Sequence, residues 1–204
     1  MKRLALLSAA LLSLSAIAAH GHGLKCTLSD EKPVKRVAVS HDAGDDAGNS
    51  TFFKRGTGGY REIGQAFKLD KRDAEITGVT FRVLDADPQV LGKKIAVKVY
   101  ELKAVNEAPA DPQATLAVAE GNLPATIEPL QYLTFSFAEP IPLQQNRCYL
   151  VLLSFQEPTS NDGKARSLSL ERSNNKAGFG RLWTYNGDAF VADAKAMTFF
   201  VHTK

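Results

Sequence analysis

The stretch His41-Asp42-Ala43-Gly44-Asp45-Asp46-Ala47-Gly48-Asn49-Ser50 gathers three carboxylates and an amide, with glycines that let backbone carbonyls turn inward. Hard oxygen donors of this kind suit Ca²⁺, and Asp42, Asp45, Asp46 and Asn49 are the candidate ligands of a structural calcium ion. The spacing departs from the EF-hand, which wants oxygens at alternate positions and a distal Glu, so a solvated loop is the competing state. Further along, Arg181, Trp183 and Tyr185 fall on one face of a strand that runs into the turn dipeptide Asn186-Gly187, with Phe190 expected across the hairpin from Trp183. If exposed, an indole and a phenol flanked by a guanidinium make a platform on which a sugar ring stacks. If buried, the same residues are a cross-strand core cluster, the commoner fate of a sole tryptophan.

Two catalytic chemistries can be written from the remaining residues. A cut after Ala19 would leave His20-Gly21-His22 at the N-terminus, where an amine, two amides and an imidazole can hold Cu(II) in a square plane. A copper oxygenase built on this terminus needs a further imidazole, which only His41 or His202 could supply. Alternatively, a hydrolase could use two acids on neighbouring strands, which leave no linear trace; Glu62, Glu101 and Glu171 are candidates, although each is expected on a solvated face. No G-x-S-x-G elbow or H-E-x-x-H helix is present, and Gly56-Thr57-Gly58-Gly59 lacks the lysine and following helix of a phosphate-binding loop.

The elements that must position these residues begin with a segment that is not expected to stay. Lys2 and Arg3 precede an apolar run from Leu4 to Ile17, and Ala16-Ile17-Ala18 offers a cleavage site, so residues 1–19 read as a secretory signal. The run, at about 14 residues, is short of the roughly 20 of a membrane-spanning helix, and no later stretch is as long. Lys25 before Cys26 puts a cation where a lipoprotein signal needs a small residue, which argues against lipid anchoring. Removal of 1–19 takes two of the 25 basic side chains and none of the 22 acidic ones, lowering the net charge from +3 to +1. Such a near-neutral chain carries no electrostatic footprint for nucleic acid. In an oxidising compartment, secreted or periplasmic, Cys26 and Cys148 are expected to form one disulfide closing a loop of about 120 residues.

Residues 20–204 read as a single all-β domain. Val79, Phe81 and Val83, then Ile95, Val97 and Val99, then Leu133, Phe135 and Phe137 alternate with polar neighbours, which gives each strand one face for a core and one for water. Cys148 to Phe155 is apolar on both faces and suits the middle of a sheet. Further strands are expected near 34–40, 60–69, 114–119, 166–172 and 196–202, with surface loops at 104–114 and 157–164. About ten short strands at this spacing predict a two-sheet antiparallel sandwich, jelly-roll-like in topology.

From Tyr60 onward the order of features resembles exported jelly-roll or β-sandwich domains of bacterial surface and secreted proteins. The resemblance is carried by Gly64-Gln65-Ala66-Phe67, by Ile76-Thr77-Gly78-Val79-Thr80-Phe81, by Leu130 to Phe137, by Arg147 to Leu152 and by Gly180 to Gly187. It implies a fold similar to carbohydrate-binding modules and surface-anchor-associated domains, and no activity. The expectation is therefore an exported, non-catalytic domain that binds a glycan or another cell-envelope component through Arg181, Trp183 and Tyr185. The alternatives are an envelope protein that binds a protein partner and no small ligand, and the secreted enzymes described above.

Overall fold

Alternating polarity becomes strand wherever it occurs. The computed structural model describes residues 21–44, 49–57, 59–159, 162, 166–176 and 180–204, so the signal segment 1–19 and His20 lie outside the described residues. The strands are β1 (Gly21–Ser29), β2 (Val37–His41), β3 (Asn49–Gly56), β4 (Gly59–Lys68), β5 (Ala74–Ala86), β6 (Lys94–Leu102), β7 (Ala117–Asn122), β8 (Tyr132–Leu143), β9 (Cys148–Phe155), β10 (Ser167–Lys176), β11 (Leu182–Tyr185), β12 (Phe190–Asp193), β13 (Lys195–Met197) and β14 (Phe199–Thr203). Between β5 and β6 a 3₁₀ turn at Pro88–Val90 is capped by the Asp87 carboxylate.

The architecture corrects the expectation of a two-sheet sandwich. Nine strands close on themselves in the order β1-β8-β5-β10-β3-β4-β9-β6-β7 and back to β1, giving a closed barrel. Closure comes from strands long enough to change partners. β5 pairs with β8 along residues 74–82 and with β10 at 83–86, and β1 pairs with β7 at 21–23 before crossing to β8 at 24–29. Register shifts between Ile76 and Gly78 and between Ser169 and Leu170 let the strands bend at these corners. Alternation cannot reveal this, because a strand that turns a corner keeps the same period as one that stays in a flat sheet.

The barrel is filled, not hollow. Phe53, Ile63, Phe81, Val97, Ala119, Phe135, Val151 and Leu168 each come from a different strand of the ring and belong to one interior cluster, with Leu24, Cys26 and Leu28 of β1 packed against it. β9 lies between β4 and β6, and all its residues are buried. Its second apolar face meets a separate cluster outside the wall, where Ala66, Tyr100, Leu102, Cys148, Leu150, Leu152 and Trp183 pack together. The two clusters explain why the disulfide expected from the export argument does not form. Cys26 faces the interior and Cys148 the outer cluster, so the barrel wall separates two free thiols. Burial in apolar surroundings pushes the Cys26 thiol up to about 12, which keeps it protonated and unreactive.

Outside the ring, β14 and β2 extend the sheet from β5, β13 pairs with β10, and the β11–β12 hairpin pairs with β4. A polar chain crosses three strands on the β8-β5-β14 side: Thr134 Oγ1 lies 2.7 Å from Thr80 Oγ1, which lies 2.6 Å from His202 Nε2. Burial holds the His202 pKa below its ordinary value. The unfolded chain therefore binds a proton that the folded one resists, and stability present near neutral pH falls as pH drops below the ordinary histidine value of about 6.5. Urea denaturation should give a lower midpoint at about pH 5 than at pH 7. His202→Gln should flatten that difference.

The seam between β1 and β7 yields a second expected outcome. A Cβ at Gly121 would stand 2.2 Å from the Leu24 carbonyl oxygen, a contact that backbone must move to relieve. Gly121→Ala should lower stability by about 1–3 kcal/mol, read as a reduced urea midpoint with unchanged far-UV circular dichroism.

Candidate functional site

The β11–β12 hairpin is the feature that brings sequence-selected residues to one place. Register pairs Leu182 with Asp193, Trp183 with Ala192, Thr184 with Val191 and Tyr185 with Phe190. Phe190 therefore stands opposite Tyr185, not opposite Trp183. The loop is also longer than a two-residue turn. It runs from Asn186 to Ala189, with the Asn186 side-chain oxygen accepting from the Asp188 and Ala189 N–H groups and Gly187 at φ 103°.

On one face of the hairpin the aromatic residues close over the barrel wall. Trp183 is only 4% exposed. Its indole N–H donates to the Val105 carbonyl at 3.1 Å, and the Tyr100 hydroxyl donates to the Pro112 carbonyl at 2.9 Å. The segment between β6 and β7 is thus held as a cover on the outer cluster, and the tryptophan serves packing. Toward the loop end the rings open to solvent. Tyr185 and Phe190 are half-buried with centroids 4.6 Å apart, and Tyr60 meets Tyr185 edge-on at 6.4 Å. Arg181 is half-buried before the hairpin, where its carbonyl accepts from the Ala66 N–H.

Beneath this patch lies a buried carboxylate, expected from the sequence on a solvated face, paired with a half-buried lysine. Glu62 is 1% exposed, and its Oε1 accepts from Lys98 Nζ at 2.7 Å and from the Tyr60 hydroxyl. Burial, reinforced by the Glu62 hydrogen bond, raises the Tyr60 phenol above its ordinary value, so it stays a donor. Glu171 is buried as well: Arg82 Nη1 donates to it at 3.0 Å and the Thr198 hydroxyl at 2.6 Å. Of the three acids considered for hydrolysis only Glu101 is exposed, where it faces Arg147 at 3.4 Å. A strand pattern does not distinguish a solvated acid from one covered by a loop that arrives from elsewhere in the chain.

The opposite face of the hairpin borders a cleft that no motif announces. β4 changes partners along its length: residues 59–61 pair with β3, 62–65 with β11 and 63–68 with β9. Between β3 and β10 on one side and the hairpin on the other is a cavity of about 460 Å³, lined by Thr51 and Phe52 of β3, Arg61 of β4, Arg172 of β10 and Thr184, Val191 and Asp193 of the hairpin. Arg172 is engaged, donating to the Ser50 carbonyl at 3.0 Å and to Asp193 at 3.2 Å. Arg61 lies 4.8 Å from the Phe52 ring centroid, and its Nε has no hydrogen-bond partner among the described residues. Burial, with Arg172 nearby as a second cause, works against its charge. The Thr51 hydroxyl, on a residue 4% exposed, is also unpaired among the described residues. A buried polar group left unpaired costs about 1–3 kcal/mol.

The acidic loop is only partly on view. Asp45 and Asp46 lie outside the described residues, and Asn49 is the first residue of β3, opposite Arg172. Asp42 pairs with Lys32 at 2.5 Å and accepts from the Gly44 N–H at 3.1 Å. Burial works against the Asp42 charge, but these two donors outweigh it and hold the carboxyl below its usual range. Of the terminal histidines, His20 lies outside the described residues, and His22 enters β1 opposite Ala119. His202 is committed to Thr80.

Fold and site together define an all-β barrel with an external hairpin. No protein-family model matches the sequence, and no curated protein matches it either. Among solved structures, the chain is similar to the cysteine protease and lectin-like domains of Cwp84, a surface layer associated protein of Clostridium difficile. The TM-score is 0.50 at 14% identity, over 76% of this chain and 36% of that one. The chain thus spans about a third of that protein's solved length, and the likeness is one of fold.

Because Trp183 is the sole tryptophan, its setting can be read directly. Intrinsic fluorescence should be blue-shifted and poorly quenched by acrylamide. Trp183→Ala should lower stability by about 3–5 kcal/mol in a thermal or urea melt.

Proposed function

We propose that this chain is an exported, non-catalytic binding domain that engages a glycan of the cell envelope through the loop end of the β11–β12 hairpin. The observation that carries this reading is the half-exposed group of Tyr60, Tyr185 and Phe190, three rings on one face, fixed by a buried tryptophan and a buried carboxylate paired with Lys98. Rings held this way offer apolar faces to a sugar without losing side-chain entropy on binding. Phenol and backbone groups at the loop supply the polar contacts. The Arg181, Trp183 and Tyr185 set expected from sequence is thereby divided, with Trp183 as the support and Tyr185 as the contact.

Three further observations support the reading. The sequence opens with a segment of secretory character. The likeness in fold is to a chain whose description includes a lectin-like domain and association with a surface layer. Glu171 and the Oε1 of Glu62, from the buried acids among the hydrolase candidates, are each engaged by a cation and a hydroxyl, which favours binding over catalysis.

A panel of bacterial envelope and capsular oligosaccharides tests the proposal by calorimetric titration. At least one should bind, and Tyr185→Ala should weaken it by about tenfold or more while leaving the melting temperature within a few degrees. Absence of binding across the panel, or binding indifferent to both Tyr185→Ala and Phe190→Ala, would remove the hairpin from the function.

A further inference from the structure

The cleft behind the hairpin has a composition that packing alone does not call for. Strand faces beside a filled barrel usually present either apolar side chains or charges in opposite pairs. Here two guanidinium groups, Arg61 and Arg172, share one cavity with a single carboxylate, Asp193. Arg172 takes the hydrogen bond to that carboxylate, while Arg61 stacks on the face of Phe52 and feels Asp193 only through space. Thr51 lines the same cavity, and its buried hydroxyl has no partner among the described residues. Arg61 and Thr51, whose Nε–H and hydroxyl have no hydrogen-bond partner among the described residues, both line a space of about 460 Å³, room for one sugar ring.

We propose that this cleft is an oxyanion-binding subsite, in which Arg61 and the Thr51 hydroxyl receive the charged group of an acidic saccharide. The guanidinium presents two parallel N–H donors to a planar or tetrahedral oxyanion, and Phe52 beneath it keeps the fork oriented. Arg172 is already neutralised by Asp193, so the cavity carries one net positive charge, which matches a singly charged group. Thr184 and Val191 line the hairpin side of the cleft, and Val191 is 57% exposed, which leaves an apolar shoulder for the ring that bears the charge. The same hairpin carries Tyr185 and Phe190 on its other face, so a chain of sugars passing over its loop end would meet both. The saccharide part of the proposal rests on the glycan reading above; the oxyanion part rests on the cleft alone.

The test is a set of titrations on the full chain with an oligouronide, a neutral oligosaccharide of equal length, a sulfated oligosaccharide and sodium acetate alone. The oligouronide or the sulfated sugar should bind about tenfold more tightly than the neutral one, with the advantage shrinking as salt is raised. Whichever of the two wins names the source of the oxyanion. Arg61→Gln should abolish the advantage, and Arg61→Lys should restore part of it because it keeps the charge and loses the fork. Thr51→Val removes an unpaired hydroxyl, so it should weaken the charged ligand several-fold while leaving the melting temperature equal or higher. That combination would not arise from a purely structural threonine. Equal binding of neutral and charged sugars, or an advantage untouched by Arg61→Gln and Thr51→Val, overturns the subsite and leaves the glycan reading standing. Arg61-dependent binding of acetate without any saccharide overturns the glycan reading and leaves the subsite standing.

Discussion

Nine strands in a ring cannot alternate direction all the way round. Each antiparallel neighbour reverses the chain, and an odd ring returns to its start pointing the wrong way unless one neighbouring pair is parallel. That pair is β1 with β7, joined through Gly21 to Gly23. The parallel stretch is short, because β1 leaves β7 at Leu24 and becomes an antiparallel partner of β8. The corner is tight enough that Gly121 must lack a side chain for the Leu24 carbonyl to pass. Interior packing depends on this join. Leu24, Cys26 and Leu28 are the residues by which β1 packs against the interior cluster that holds Phe135 and Ala119.

A second constraint arises where β4 divides its length among three partners. Pairing with β9 keeps its C-terminal half in the wall, pairing with β3 begins the next part of the ring, and pairing with β11 attaches the hairpin. The hairpin consequently has two environments. Its Trp183 face is sealed by the segment between β6 and β7, and its Thr184 face borders the cleft that holds Arg61. Rigid support and an open polar cavity thus sit on opposite sides of two four-residue strands. A hairpin of this kind draws its order from the barrel and needs little of its own.

The strands themselves were legible because period-two alternation is a local property. Val79 to Val83, Ile95 to Val99 and Leu133 to Phe137 lie in strands as the pattern requires, and the doubly apolar run from Cys148 to Phe155 is a central, fully covered strand. Closure was not legible, since it is decided by which distant strand each end of β1 and β5 meets. β1 was missed altogether, hidden behind a segment read only for export signals and a cysteine. The aromatic hairpin was found from Trp183, Tyr185 and Asn186-Gly187, yet the burial of Trp183 is imposed by Val105, 78 residues earlier in the chain. Arg61 and Thr51 gave no signal, because an unpaired donor in a cleft looks the same in sequence as any polar residue on an exposed strand face.

The position of β1 also sets the order of events in folding. Its partners in β7 and β8 begin about 100 residues later, so β1 has to wait for nearly two thirds of the chain before it finds its edges. Local hairpins such as β3–β4 and β11–β12 can form early, whereas the joins of β1 to β8 and of β3 to β10 each span more than 100 residues. Until β1 is in place, β7 and β8 each present an unpaired apolar edge, the kind of surface on which partly folded chains associate. The chain is therefore expected to be a slow folder that stays exposed to association until its long-range joins are made.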